Sequence, residues 1–164
     1  MMKYDIDEYR EAVGCIVWDE DWDRILLVRR SPKETSCIGL WEVPGGKVED
    51  YEGEPDDYRK DTADTELSEE TGMVLPDWDY GDVHVDHDMM KIYSTIHYYQ
   101  EKNQNPVLSE EHDAYIWITP EEIMNQHRNG QLWVSHHLLH FIGKDSLQPG
   151  WGQMQLRLQD RTRN

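Results

Sequence analysis

Between Trp41 and Val74 the chain sets two things side by side. One is a strand that runs into Pro44-Gly45-Gly46-Lys47, and the other is a helix that ends Thr65-Glu66-Leu67-Ser68-Glu69-Glu70-Thr71-Gly72. Pro55 suits the first helical position, Asp56 and Asp57 suit the positive N-terminal end, and Gly72 suits the left-handed position that stops a helix. Glu66, Glu69 and Glu70 stand at i, i+3 and i+4 and so share one helix face. Like charges at that spacing destabilise a helix by roughly a few tenths of a kcal/mol per pair. An isolated pattern of this kind is usually a solvated acidic face. A functional reading needs a counter-charge, and a hard divalent cation with oxygen ligands supplies one. The glycine turn favours that reading, because glycines let backbone carbonyls come close to a ligand. Strand, glycine turn and three-carboxylate helix together make a site for a metal-bound diphosphate.

These residues resemble the Nudix box, G-x(5)-E-x(7)-R-E-U-x-E-E-x-G-U, where U is a bulky aliphatic. Gly46 matches the opening glycine, and the run Glu66 to Met73 matches E-U-x-E-E-x-G-U. Trp41, Pro44, Gly45 and Lys47 match what commonly stands just before and inside the box. The chain departs from the pattern in two ways. The interval from Gly46 to Glu66 is longer, by two residues in the loop and three at the front of the helix. Three residues are roughly 4.5 Å of helix, a little under one turn. The family's arginine before the first helix glutamate is Thr65 here; Arg59, two turns back on the face of Glu66, is the nearest substitute.

The resemblance implies an α/β fold, a Nudix-type α/β/α sandwich around a mixed β-sheet. It implies hydrolysis of a nucleoside diphosphate linked to another moiety, with Mg²⁺ as cofactor and Mn²⁺ as the alternative. Glu69 and Glu70, with the Gly45 carbonyl, are the leading metal ligands. Glu66 is a ligand or the base that takes a proton from water. Glu111, in the stretch Glu110-Glu111-His112 before a strand, completes the metal set or acts as base. Catalysis is thus assigned to Glu66, Glu69 and Glu111, and metal binding to Gly45, Glu66, Glu69, Glu70 and Glu111. Lys47, with Arg29 or Arg30 at the end of an early strand, is assigned to substrate phosphate or base. Candidate substrates are a (deoxy)nucleoside triphosphate, ordinary or oxidised, a dinucleoside polyphosphate or a nucleotide sugar. The alternative is a nucleotide-binding Nudix sensor that does not hydrolyse, for which Thr65 is the best support.

The rest of the chain sets limits on this reading. A length of 164 residues favours a single domain with its own core. The expected organisation is an N-terminal arm over 1–10, the domain over 11–145 and a polar tail over 146–164. The tail's alternating MQLRLQ suits an edge strand, and a homodimer is left open. The net charge of −18 disfavours a nucleic acid polymer as partner, whereas a small nucleotide arrives partly neutralised by its cation. No apolar run is long enough for a membrane span, and Met1 to Arg10 is not a signal peptide. Cys15 lies in an apolar run and reads as a reduced buried thiol, which points to the cytoplasm.

Local patterns predict the remaining elements. Ala12 to Trp18 and Arg24 to Arg30 read as a hairpin, and Gly39 to Val43 as the strand entering the box. Val83 to His87 and Lys91 to Gln100 read as a second hairpin turning at Asp88-Met89. Thr119-Pro120-Glu121-Glu122 reads as a helix start with a capping box. Trp133 to Ile142 reads as a last helix. His84 with Asp86, and His136 with His140 at i, i+4, have metal-ligand spacing. No H-E-x-x-H motif or second ligand set accompanies them, so packing or surface roles are favoured.

Overall fold

A computed structural model describes residues 9–143, so the N-terminal arm before Tyr9 and the whole of the tail lie outside the described residues. The acidic helix, α1 (Pro55–Thr71), has Pro55 in its first turn, and Gly72 at φ 71° closes it by donating its N–H to the Ser68 carbonyl. Glu54 precedes it in extended conformation without a side-chain cap, so Asp56 and Asp57 are the acidic groups set against the positive helix end.

Seven strands form two sheets. They are β1 (Arg10–Val17), β2 (Ile25–Arg30), β3 (Trp41–Glu42), β4 (Gly45–Lys47), β5 (Asp77–Asp86), β6 (Lys91–Tyr99) and β7 (His112–Ile118). One sheet has the order β4-β1-β6-β5, with β1 and β6 parallel and the other pairs antiparallel; the second, β3-β2-β7, is antiparallel throughout. Two short helices follow, α2 (Pro120–Arg128) and α3 (His136–Gly143).

The run AVGCIVW is nearly continuous in apolar character because both faces of β1 are covered. Val13, Cys15 and Val17 face α1 and pack with Ala63, Leu67, Ile96 and Tyr98. Ile16 and Trp18 face the other way and pack with Tyr99, Ile123, Leu138 and Ile142. A strand with period two therefore divides helix α1 from helices α2 and α3, which is the α/β/α layering expected. Leu67, 1% exposed, holds α1 down; burying such a side chain is worth about 1.5–3 kcal/mol.

Several local expectations change. The β1–β2 hairpin is closed only at its base, where Asp19 N–H meets the Arg24 carbonyl at 2.9 Å and Trp18 bridges Ile25. Beyond that the strands part, because β1 aligns along its whole length with β6. Gly45–Lys47 is a strand against β1 rather than a free turn. β5 starts earlier than its alternation predicts, since the register breaks between Tyr80 and Val83 and obscures the period. The last helix starts at His136 rather than Trp133: Val134 bridges Trp41, and Ser135 Oγ caps the helix by accepting from Leu138 N–H. Thr119 caps α2 through Glu122 N–H, but the Glu122 carboxylate takes Gln126 Nε2 instead of closing the capping box. Cys15 and Cys37 are both free, Cys15 buried and Cys37 exposed. Among the described residues, no helix is long and apolar enough to cross a membrane.

Candidate active site

The site lies where β4 passes under α1. Cys15 N–H reaches the Pro44 carbonyl and Val48 N–H the Glu11 carbonyl. Antiparallel bonding alternates, so Gly46 exchanges its bonds with Val13, and the N–H and carbonyl of Gly45 turn away from β1. The Gly45 N–H goes to Glu70 Oε2 at 2.9 Å. Each glycine is required for space. A Cβ at Gly45 would lie 2.1 Å from the Val13 carbonyl oxygen, and one at Gly46 would lie 2.6 Å from Glu66 Cδ. The Glu66 carboxylate therefore rests directly on the Gly46 backbone.

The acidic groups converge on this point. Glu70 is 2% exposed, and burial pushes its carboxyl up to about 9; Glu66, Glu111 and Glu42 push the same way, while the Gly45 N–H opposes them. Glu66, half-buried, is also raised, first by burial and then by the charges of Glu69 and Glu111. Glu69 is exposed on the same helix face. Glu111 comes from the loop before β7, pinned where Ser31 N–H donates to the Glu111 carbonyl at 2.8 Å and Ser31 Oγ donates to the Glu110 carbonyl at 2.6 Å. Glu110 itself turns outward to Lys33. The structure thus sets Glu70 against Gly45 and Glu66 against Gly46, with the charge of Glu111 acting on both carboxyls and that of Glu69 on Glu66. An oxygen-rich, strongly anionic set of this kind fits a hard divalent cation, which would lower the mutual repulsion that raises Glu66 and Glu70.

On the opposite side of β4 lies a cleft of about 240 Å³, lined among others by Gly14, Arg30, Glu42, Lys47, Tyr93 and Phe141. Arg30 reaches this cleft while held by Glu34 and Glu42 and by donating Nε to the Ser36 carbonyl. Arg29 is not among the cleft-lining residues; it bonds Asp113 at 2.8 Å and lies over the Trp41 ring. Lys47 lines the cleft and also an acidic hollow of about 260 Å³ that includes Glu49, Asp61, Thr65 and Glu66. Thr65 therefore opens onto a hollow at the position of the family's arginine. Arg59 does not fill it, because its guanidinium pairs with buried Glu11 at 2.7 Å.

Two residues of this region are absent from the sequence-derived set. Glu42 and His112 join Glu70 in the only His/Cys/Asp/Glu group, among the described residues, whose ligand atoms lie close enough to hold an ion. Their sequence signal is weak, because each stands alone beside an aromatic or charged neighbour. Sheet register brings them together, with Val28 opposite Glu42 and Arg30 opposite His112. The histidines at His84 and His140 do meet, with ring centroids 3.7 Å apart, but they form no such group.

A family model described as the NUDIX domain matches residues 8–139. The chain belongs to the Nudix family. It is 31% identical over 114 residues to the CTP pyrophosphohydrolase of Escherichia coli (strain K12), covering 70% of this chain and 78% of that protein. The MutT protein from Methanosarcina mazei Go1 superposes with a TM-score of 0.62 at 26% identity, covering 82% of this chain and 91% of the other. DR0079 from Deinococcus radiodurans shares the fold with a TM-score of 0.68 at 16% identity over 82% of each chain. The protein is a Nudix hydrolase acting on phosphoric anhydride bonds, and Nudix hydrolases act on small nucleotides and generally use a divalent metal.

Proposed function

We propose that this Nudix hydrolase is a Mg²⁺-dependent nucleoside triphosphate pyrophosphohydrolase, with cytidine triphosphate the first substrate to test. The supporting observation is that Glu66 and Glu70, with Glu111 near both, lie on one side of the Gly45–Lys47 strand, and a partly basic, aromatic-lined cleft lies on the other. The base choice is carried over from the 31% identical relative. A triphosphate seated in the cleft would lay its diphosphate across β4, where Lys47 stands between the two sides. Glu66, Glu69, Glu70, Glu111 and the Gly45 carbonyl would hold the cation, which neutralises the phosphate oxygens and orients an attacking water. The water oxygen bonds to phosphorus, the bridging P–O bond breaks, and pyrophosphate leaves with the bond electrons. Glu66 or Glu111 takes the proton; carboxylates this close titrate as a set, so the base is a property of the group. Tyr93 and Phe141 supply ring faces for the nucleobase.

The test is product analysis on a panel of nucleoside triphosphates, dinucleoside polyphosphates and nucleotide sugars, with and without Mg²⁺ or Mn²⁺: pyrophosphate with a nucleoside monophosphate from the first, mononucleotides from the second, and a nucleoside monophosphate with a sugar phosphate from the third. Metal-dependent turnover of cytidine triphosphate is expected, and turnover of another class would redirect the substrate assignment. Thr65 favours a second reading, a nucleotide sensor. Metal-dependent nucleotide binding without any turnover, with turnover gained in Thr65→Arg, would decide for it.

A further inference from the structure

His112 opens β7 and is 4% exposed. Its Nε2 lies 2.9 Å from Glu42 Oε2. Its Nδ1 faces Glu70 Oε1 across 3.6 Å and has no hydrogen-bond partner. Each carboxylate has a second partner: Arg30 reaches the same Glu42 oxygen at 3.6 Å, and the Gly45 N–H reaches the other oxygen of Glu70, Oε2, at 2.9 Å. One rigid ring therefore stands between a carboxylate that lines the cleft and a carboxylate that faces the acidic site. A buried ring nitrogen without a partner is costly, and an aliphatic side chain would fill the same space without that cost.

We infer that His112 is a positioning residue that fixes Glu42 for the nucleotide and Glu70 for the cation at once. The inference rests on the hydrolytic reading for its substrate arm, but its cation arm can be measured without turnover. The imidazole is planar, so its two nitrogens point in fixed and different directions, and its place at the start of β7 is set by register with Arg30. Moving the ring would therefore disturb both carboxylates together. Outer partners that orient metal-binding side chains are commonly worth about 10–100-fold in metal affinity or activity.

The two arms can be separated with amides, since a glutamine amide sits near the place of Nε2 and an asparagine amide near the place of Nδ1. Mn²⁺ affinity is measured on the full chain without nucleotide, by the electron paramagnetic resonance signal of free Mn²⁺. KM and kcat are measured with cytidine triphosphate, and thermal melting is followed alongside. His112→Gln is expected to keep KM within about threefold and weaken Mn²⁺ binding about tenfold. His112→Asn is expected to do the reverse, and His112→Leu to lose on both counts. A folded His112→Leu with unchanged Mn²⁺ affinity and KM would overturn the inference, as would equal losses in the Gln and Asn variants that merely follow their melting temperatures. If the wild-type protein turns over no nucleotide, the hydrolytic reading falls, while the Mn²⁺ affinities still decide this one.

Discussion

Glu70 Oε2 accepts the backbone N–H of Gly45 at 2.9 Å, so the acidic helix and the glycine strand are tied through a carboxylate that is itself almost fully buried. A buried carboxylate with one neutral donor and acidic neighbours is unstable in its ionised form unless a cation joins it. Glu70→Gln keeps an oxygen for the Gly45 N–H and removes the charge. Hydrolysis is expected to fall by about 10²-fold or more, with the circular dichroism spectrum unchanged. Full activity in this variant would remove Glu70 from the metal set.

The two glycines of β4 are predicted to fail differently. At Gly46 an added methyl meets the far end of the Glu66 side chain, which can swing aside. Gly46→Ala should therefore melt within a few degrees of the wild type while kcat drops about tenfold or more, because Glu66 loses its seat. At Gly45 the methyl meets the Val13 carbonyl at 2.1 Å, which is fixed in the strand pairing. Gly45→Ala should lose about 2–3 kcal/mol or more in denaturant unfolding. Equal behaviour of the two variants would mean that Glu66 does not rest on Gly46.

The helix was legible in the sequence because its signals are local. Pro55, Gly72 and the Glu66/Glu69/Glu70 spacing each act within one or two turns, and α1 has the boundaries they set. The parting of β1 from β2 was not legible, since nothing between Asp19 and Arg24 reports that β1 pairs with β6 far along the chain. The same limit hid Glu42 and His112. They lie on β3 and β7, which flank β2, and only sheet register makes them neighbours. Arg29 and Arg30 look equivalent in sequence, yet one turns to Asp113 and the other to the cleft, as alternation along a strand requires.

Arg59 is a structural partner of Glu11 and not a stand-in for an arginine at position 65. Glu11 accepts from Arg59 Nε and from the Tyr58 hydroxyl, both at 2.7 Å, and is nearly inaccessible. Removing Arg59 leaves the buried Glu11 carboxylate without its counter-charge. Arg59→Met should cost about 3 kcal/mol of stability. Its Mn²⁺ affinity, measured well below the melting temperature, should match the wild type. A large loss of affinity without a loss of stability would show that Arg59 reaches the acidic site after all.

The raised Glu70 carboxyl makes the metal-free protein sensitive to alkali. In the folded chain it keeps its proton up to about pH 9, whereas in the unfolded chain it ionises near the ordinary value of 4.5. Between those two values the native state binds the additional proton. Unfolding free energy must then decrease as pH rises, because stability rises with pH only where the unfolded state binds more protons. The contribution is complete below the unfolded value and is lost progressively as pH climbs toward 9. Other groups titrate in the same window, so the measurement is a difference. Urea midpoints of wild type and Glu70→Gln, taken without metal from pH 5 to 9, should diverge as pH rises, the wild type declining more steeply. A divalent cation displaces that proton, so Mg²⁺ should raise the wild-type midpoint more at pH 8.5 than at pH 5.5. Parallel pH slopes for the two proteins would show that Glu70 is ionised in the metal-free fold, and that its burial is compensated by groups other than a retained proton.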